Sequence, residues 1–327
     1  MATHTTWRPA KRRVGRRDGH LQLLTLRRLA LLTCLCWPLL ASAGQISLWR
    51  IQHGQATLYL LGSIHAVRAD MYPLPEAMDS AFAAADQVIF EIDLSQAATA
   101  GLGEIMAQRG SLPDGQTLAT NLSPATLAQL TTFLQADQAN YPTGQRLTLA
   151  AVQGMRPWYL AMLLGLRELT QLGYNPALGI DQHYHQQALA AGKTVFGLET
   201  FSEQIDQLAG ESPQNQELAL RLVLESSSLI EAQLAELISA WQSGQANHMY
   251  TLATATSTNY PTLDEQAVHL LSQRNQRMAS RLKDFLQGNQ TTLAVVGALH
   301  MGGEQGLLTL LDEDYTVTQL TAAGFVP

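Results

Sequence analysis

Beyond its first 43 residues the chain has no cysteine, since Cys34 and Cys36 both lie inside that segment. A disulfide framework is excluded for the remainder, which tolerates an oxidising compartment without needing one. Membrane-length apolar runs are missing too. Residues 29–40 form an apolar run of 12, short of the ~20 that span a bilayer. Residues 147–172 are strongly apolar, but Arg156, Pro157 and Arg167 interrupt them, so a buried helix or hydrophobic groove is expected there rather than a span. No Gly-x-Ser-x-Gly elbow occurs, which argues against a serine hydrolase. Basic residues are scarce. Eight of the 20 Lys and Arg but only one of the 27 Asp and Glu fall in the first 43 residues, leaving 12 against 26 and a net charge of −14 thereafter. So acidic a surface repels phosphate backbones and anionic membranes, and nucleic acid is not expected as a partner.

The first 43 residues are unlike the rest. A basic stretch that includes Arg12, Arg16, Arg27 and Arg28 precedes the apolar run, and Ala41-Ser42-Ala43 supplies the small residues that a signal peptidase reads. Cleavage near Ala43/Gly44 would leave a periplasmic or secreted protein with no retained span. Arg27-Arg28 leaves a twin-arginine route open beside the general one.

The remaining chain, residues 44–327, reads as an α/β domain. Its dominant feature is one pattern used twice: Gly62-Ser63-Ile64-His65 and Gly297-Ala298-Leu299-His300, each after an apolar run of strand character. A histidine is thus delivered twice to the end of a buried strand, where a glycine turn lets the backbone approach a ligand. Two further strand-like runs, 87–93 and 193–199, carry Glu91 and Glu199 at or near their ends, so the two halves echo each other. Hairpin strands are expected at 46–50 and 56–61, a core strand at 291–296, a helix from Gly302-Gly303 through Leu311, and a closing strand at 315–320. Large helical insertions fill about 95–175 and 205–288. The expected fold is a central mixed β-sheet with internal pseudo-symmetry, flanked by helices.

Two imidazoles and two carboxylates at strand ends match the donors a divalent metal needs, with positions left for water. Such an ion, Mn, Co, Zn or Fe, would acidify water and polarise a carbonyl. His183 and His185, two apart on one helix, point in different directions and are expected to be solvated or structural. Asp181 opens that helix as a possible cap. Arg274 and Arg277, three apart on one helix face, could hold a substrate carboxylate.

Read together, residues 59–65, Phe90-Glu91-Ile92-Asp93, Arg156-Pro157-Trp158, Gly179-Ile180-Asp181, Gly197-Leu198-Glu199-Thr200 with Gln204, Arg274-Asn275 and residues 296–303 resemble the TraB/PrgY/GumN family over nearly all of 46–320. The chain departs from the family's commoner Lys-Pro-Trp at Arg156 and from its Glu-Arg-Asn at Gln273; neither position is a proposed metal ligand. The family is related to the TIKI metalloproteases, which cleave a secreted signalling protein near its amino terminus, and more remotely to erythromycin esterases and ChaN-type haem-binding proteins. The resemblance implies a site built from His65, Glu91, Glu199 and His300. The expected function is an exported metal-dependent hydrolase acting on a peptide or small-molecule substrate. His65 and His300 bind metal, Glu91 or Glu199 serves as ligand or base, Arg274 and Arg277 orient substrate, and Asp181 and the region of Arg156 and Trp158 form the binding groove. The alternative is a periplasmic protein that sequesters a peptide or haem without turnover.

Overall fold

The structure, a computed structural model, describes Met1 and residues 44–95, 101–137, 141–142, 145–226, 229–254 and 261–323. The expected leader and the second half of the break at 141–144 lie outside the described residues.

Six strands form one mixed sheet. They are β1 (Gln45–His53), β2 (Ala56–Ser63), β3 (Gln87–Phe90), β4 (Thr194–Gly197), β5 (Thr291–Gly297) and β6 (Val317–Thr321), in the spatial order β4-β3-β5-β2-β1-β6. The first two make the expected hairpin. His53 pairs with Ala56 across a two-residue turn in which Gly54 takes a φ of +58°, a conformation that glycine adopts without Cβ strain. β1 then pairs antiparallel with β6, whereas β2, β5, β3 and β4 run mutually parallel.

Burial follows position in the sheet. β2 and β5 are buried along nearly their whole length, as expected for central parallel strands covered on both faces. The edge strands β4 and β6 are only partly buried. Leu58, Leu60, Leu61, Ile89, Leu293 and Val296 anchor a core shared with the helices Glu76–Ala84, Ile180–Ala190 and Pro261–Leu286. A separate cluster, including Leu118, Leu130, Leu134, Leu160, Leu164 and Leu220, binds the first helical insertion to the helix Pro213–Ser226 of the second.

Three expectations need correction. β3 ends at Phe90 rather than Asp93, because the next N–H of its partner strand, that of Gly297, bonds the Glu91 side chain instead of the ladder. The helix expected from Gly302-Gly303 begins only at Leu307. Gly302 and Gly306 sit too close to backbone carbonyls for a side chain, and Gly303 holds a φ of +88°, so this stretch is a compact turn. Residues 147–172 are two helices, Leu149–Val152 and Pro157–Gln171, with Met162 and Leu166 each 41% exposed. Among the described residues no helix is long and apolar enough to cross a membrane.

Candidate functional site

The four parallel strands all point their carboxyl ends at one edge of the sheet. There the chain places His65 after β2, His300 after β5, Glu91 after β3 and Glu199 after β4. Open α/β sheets bind ligands at this edge. The convergence centres on Gly297. A side chain there would begin 2.8 Å from Glu91 Oε1, 3.6 Å from His65 Nε2 and 3.7 Å from His300 Cδ2. A Cβ there would press on Glu91 Oε1 and would stand in van der Waals contact with both imidazoles, so glycine leaves room for the carboxylate.

His300 is 4% exposed. Its Nδ1 lies 2.5 Å from Asn275 Oδ1, and Asn275 Nδ2 donates to the Gln305 carbonyl at 2.7 Å. The second bond orients the amide, so its oxygen faces the ring and the proton sits on Nδ1. Nε2 keeps its lone pair, 3.8 Å from Glu91 Oε2. Burial pushes the pKa of His300 down to about 4; Arg274 and His65 add to this, and Glu91 opposes it. The imidazole is neutral at physiological pH.

His65 is in the opposite condition. Its ring is 65% exposed, and Nδ1 lies 3.3 Å from Asp181 Oδ1. Asp181 is carried into place because Ile180 N–H bonds the Ile64 carbonyl, docking the helix start on the His65 turn. Gly179 lies so close to the His65 carbonyl that no side chain fits there. The contact with Asp181 is the largest influence on His65; with the charges of Asp181 and Glu91 it outweighs burial and Arg274, pushing the pKa up to about 9. The pairing is ionic, since among the described residues Asp181 Oδ1 has no well-aligned donor, and water at the exposed ring screens part of it.

Arg274, from the helix Pro261–Leu286, reaches between the two glutamates. Its Nη2 bonds Glu91 Oε2 at 2.5 Å and also Glu199 Oε1, while Nε bonds Glu199 Oε1 at 3.0 Å. Gln204 Nε2 spans the same pair, at 3.4 Å from Glu91 and 3.3 Å from Glu199. Glu91 Oε1 accepts from Gly297 N–H at 2.5 Å. Burial alone would raise the Glu91 pKa, but the imidazoles, Arg274 and the Gly297 N–H overcome it and hold the carboxyl well below its usual range. Both carboxylates are buried, at 6% and 7% exposed, and one guanidinium satisfies both, the fork geometry for which arginine is suited.

The donor types of His65, His300 and Glu91, imidazole nitrogen and carboxylate oxygen, are those that divalent cations take. His300 Nε2 lies 3.8 Å from Glu91 Oε2, and its Nδ1 is held by Asn275 Oδ1, an outer contact of the kind found at metal-binding histidines; His65 Nδ1 has only the ionic contact with Asp181. Arg274 reaches both oxygens of Glu199, and among the described residues no imidazole nitrogen is paired with that carboxylate, whereas Glu91 has His300 Nε2 at 3.8 Å. In the conformation described no three His, Cys, Asp or Glu side chains form a closed coordination group among the described residues.

Of the other sequence candidates, Asp181 faces the site, but Arg277 is exposed and lies near Glu203. Arg156 bonds the Ser111 carbonyl, and Trp158 is buried among the helices of the insertion, so neither lines the cavities at the centre. His183 bonds Gln187. His185 is 4% exposed and pairs with Asp93 at 3.3 Å, a buried dyad that sequence reasoning missed. A signal was available: Ile180, Tyr184 and Ala188 form the buried stripe of that helix, and His185 falls beside it.

The model of the TraB/PrgY/gumN family matches residues 47–319. Among curated proteins the chain is 27% identical over 260 residues to the Uncharacterized protein YbaP of Escherichia coli (strain K12), covering 79% of this chain and 89% of that protein. The Uncharacterized protein YbaP of Shigella flexneri matches at the same identity and coverage. No solved structure matches.

Proposed function

The chain belongs to the TraB/PrgY/gumN family, and from that premise we propose that it is an exported hydrolase of peptide bonds working at the His65–Glu91–His300 centre with a divalent cation. The carrying observation is the convergence of Glu91 Oε1, His65 Nε2 and the His300 ring on Gly297, with His300 Nδ1 held by Asn275 Oδ1 and His65 Nδ1 3.3 Å from Asp181 Oδ1. Export is supported by the basic stretch, the apolar run and Ala41-Ser42-Ala43.

His65 Nε2, His300 Nε2 and a Glu91 oxygen would hold the ion, which when bound supplies Lewis acidity toward water and a carbonyl oxygen. Asn275 keeps His300 in the tautomer that leaves Nε2 bare, and Gly297 N–H keeps Glu91 turned toward it. Arg274 and Gln204 fix the two carboxylates without lending either to substrate. In the hydrolysis a water oxygen bonds to the carbonyl carbon, the C–N bond breaks, and the proton that water gives up passes to the leaving nitrogen. No electrons change hands. Asp181 steadies His65 whether its ring is protonated or bound.

One observation favours a second reading. The Arg274 clamp leaves neither glutamate free as a proton acceptor, which suits a protein that captures a peptide without cleaving it. A single experiment separates the two. Purified protein loaded in turn with Mn, Co, Zn or Fe(II) is incubated with a peptide library, and metal content and cleavage are measured for the parent and for His300→Gln. The hydrolase reading expects cleavage by a loaded parent and loss of both metal and cleavage in the variant. Peptides bound but never cut by any loaded form would overturn it in favour of capture.

A further inference from the structure

The centre is a partition between two cavities, and their shape and lining bear on the substrate it takes; the inference rests on the hydrolase reading above. Ser63, His65, Glu91 and Gln204 line both spaces. On one side lies a cleft of about 670 Å³ whose walls carry Leu94, Leu102, Leu189 and Phe201. On the other lies a cavity of about 250 Å³ walled by Leu237, Met249, Leu271 and Leu299. An extended chain crossing the partition would place one side chain in each.

Leu102 and Leu189 are 39% and 52% exposed, and they come from two separate helices, Leu102–Gly110 and Ile180–Ala190. A single exposed leucine is ordinary. Two lining one cleft beside a reactive centre form a surface suited to an apolar group. Charge points the same way. No Lys or Arg among the described residues lines the larger cleft, and the arginine in the smaller cavity, Arg274, is already bound to two carboxylates. Away from the centre itself, no Lys or Arg among the described lining residues is left to hold a free α-carboxylate. Ser63 adds a polar handle on the partition itself. It is 3% exposed, and among the described residues its Oγ has no hydrogen-bond partner, an unsatisfied buried group that a backbone amide brought against it would pair with.

We propose that the centre accepts an internal peptide bond flanked by apolar side chains, the bulkier one in the larger cleft, and does not select for a substrate's termini. The test uses the metal-loaded full chain and end-blocked, internally quenched peptides with Phe, Leu, Ala or Asp on either side of one bond. The parent should cut the blocked apolar peptides. Leu102→Asp and Leu189→Asp, at exposed positions where folding is tolerant, should each lower the preference for Phe over Ala at the position facing the larger cleft by about tenfold, the scale on which one apolar pocket discriminates. A requirement for a free terminus, or an unchanged preference in both variants, would overturn the proposal. If no loaded form cuts any peptide, anisotropy with a labelled, end-blocked apolar peptide still decides. About tenfold weaker binding by Leu189→Asp supports the cleft assignment while the hydrolase reading fails. Equal binding by parent and variant, or none by the parent, overturns the assignment.

Discussion

The two Gly-x-x-His turns are the same four-residue device used twice, and they end in opposite electrostatic states. Both follow buried parallel strands and deliver an imidazole to the same sheet edge. His65, however, is mostly exposed and faces a carboxylate, Asp181, and its pKa is pushed up to about 9. His300 is buried and faces an amide oxygen, that of Asn275, and burial brings its pKa down to about 4. The motif decides where the ring goes. A partner from a distant helix, together with the depth of the site, decides what the ring is.

The severest way to break the comparison is to remove what both turns share, the anchored Glu91. Arg274→Ala leaves two buried carboxylates facing each other without a cation, and loss of one partner of a buried ion pair costs about 3–5 kcal/mol. Urea denaturation should show a loss of that size, with Arg274→Lys recovering only part because an ammonium cannot reproduce the fork. A loss below about 1 kcal/mol, the range of surface pairs, would mean that the clamp carries little of the fold.

The second effect is the pH dependence of stability in the metal-free protein. His300 binds its proton less readily folded than unfolded, so its contribution is intact above about 6.5 and declines as pH falls toward 4. The shift from 6.5 to about 4 corresponds to about 3 kcal/mol. His65 works the other way: its contribution is full below about 6.5 and is lost as pH rises through about 9. Exposure makes that limb the smaller one. Stability should peak near the ordinary histidine value, and His300→Gln should flatten the acid side only. A variant that kept the same acid limb would show that the dependence belongs to other groups, among which Glu91 contributes further down the scale.

Much of this frame was legible in the sequence because apolar runs and glycine turns are local signals. The hairpin, the core strands β2 and β5, and the delivery of two histidines and two glutamates to one edge all follow from them. Side-chain partners did not. Arg274 meets Glu199 and Glu91 across 75 and 183 positions, and nothing on its own helix distinguishes it from Arg277, which the helix turns outward toward Glu203. Arg156 and Trp158 belong to a recognisable motif, yet their surroundings are the helical insertion, whose core forms apart from the sheet. Asn275 stood in a quoted motif without a role, because its use depends on the Gln305 carbonyl that orients its amide.

Asn275→Asp sharpens the comparison by giving the second turn the first turn's partner. A carboxylate beside the ring should raise the His300 pKa by about 1–3 units, read by NMR titration of the imidazole. An unmoved titration would mean that depth alone sets the state of His300, and that the partner matters only at His65.

The converse swap, Asp181→Asn, is expected to have the smallest effect on stability, within about 1 kcal/mol, because the pair is exposed and screened. Its informative readout is proton release. With a pKa of about 9, His65 carries a proton at pH 7.5, so an ion that binds its Nε2 must expel that proton, whereas His300 is already neutral and expels none. Calorimetric titration of the parent with a divalent ion, in two buffers of different ionisation enthalpy, should therefore report about one proton released per ion. With an amide in place of the carboxylate the His65 pKa drops toward the ordinary value, most of the rings are neutral at that pH, and the release should fall well below one. Equal release from parent and variant would show that the Asp181 carboxylate does not set the charge on His65, and the contrast between the two turns would then be one of burial alone.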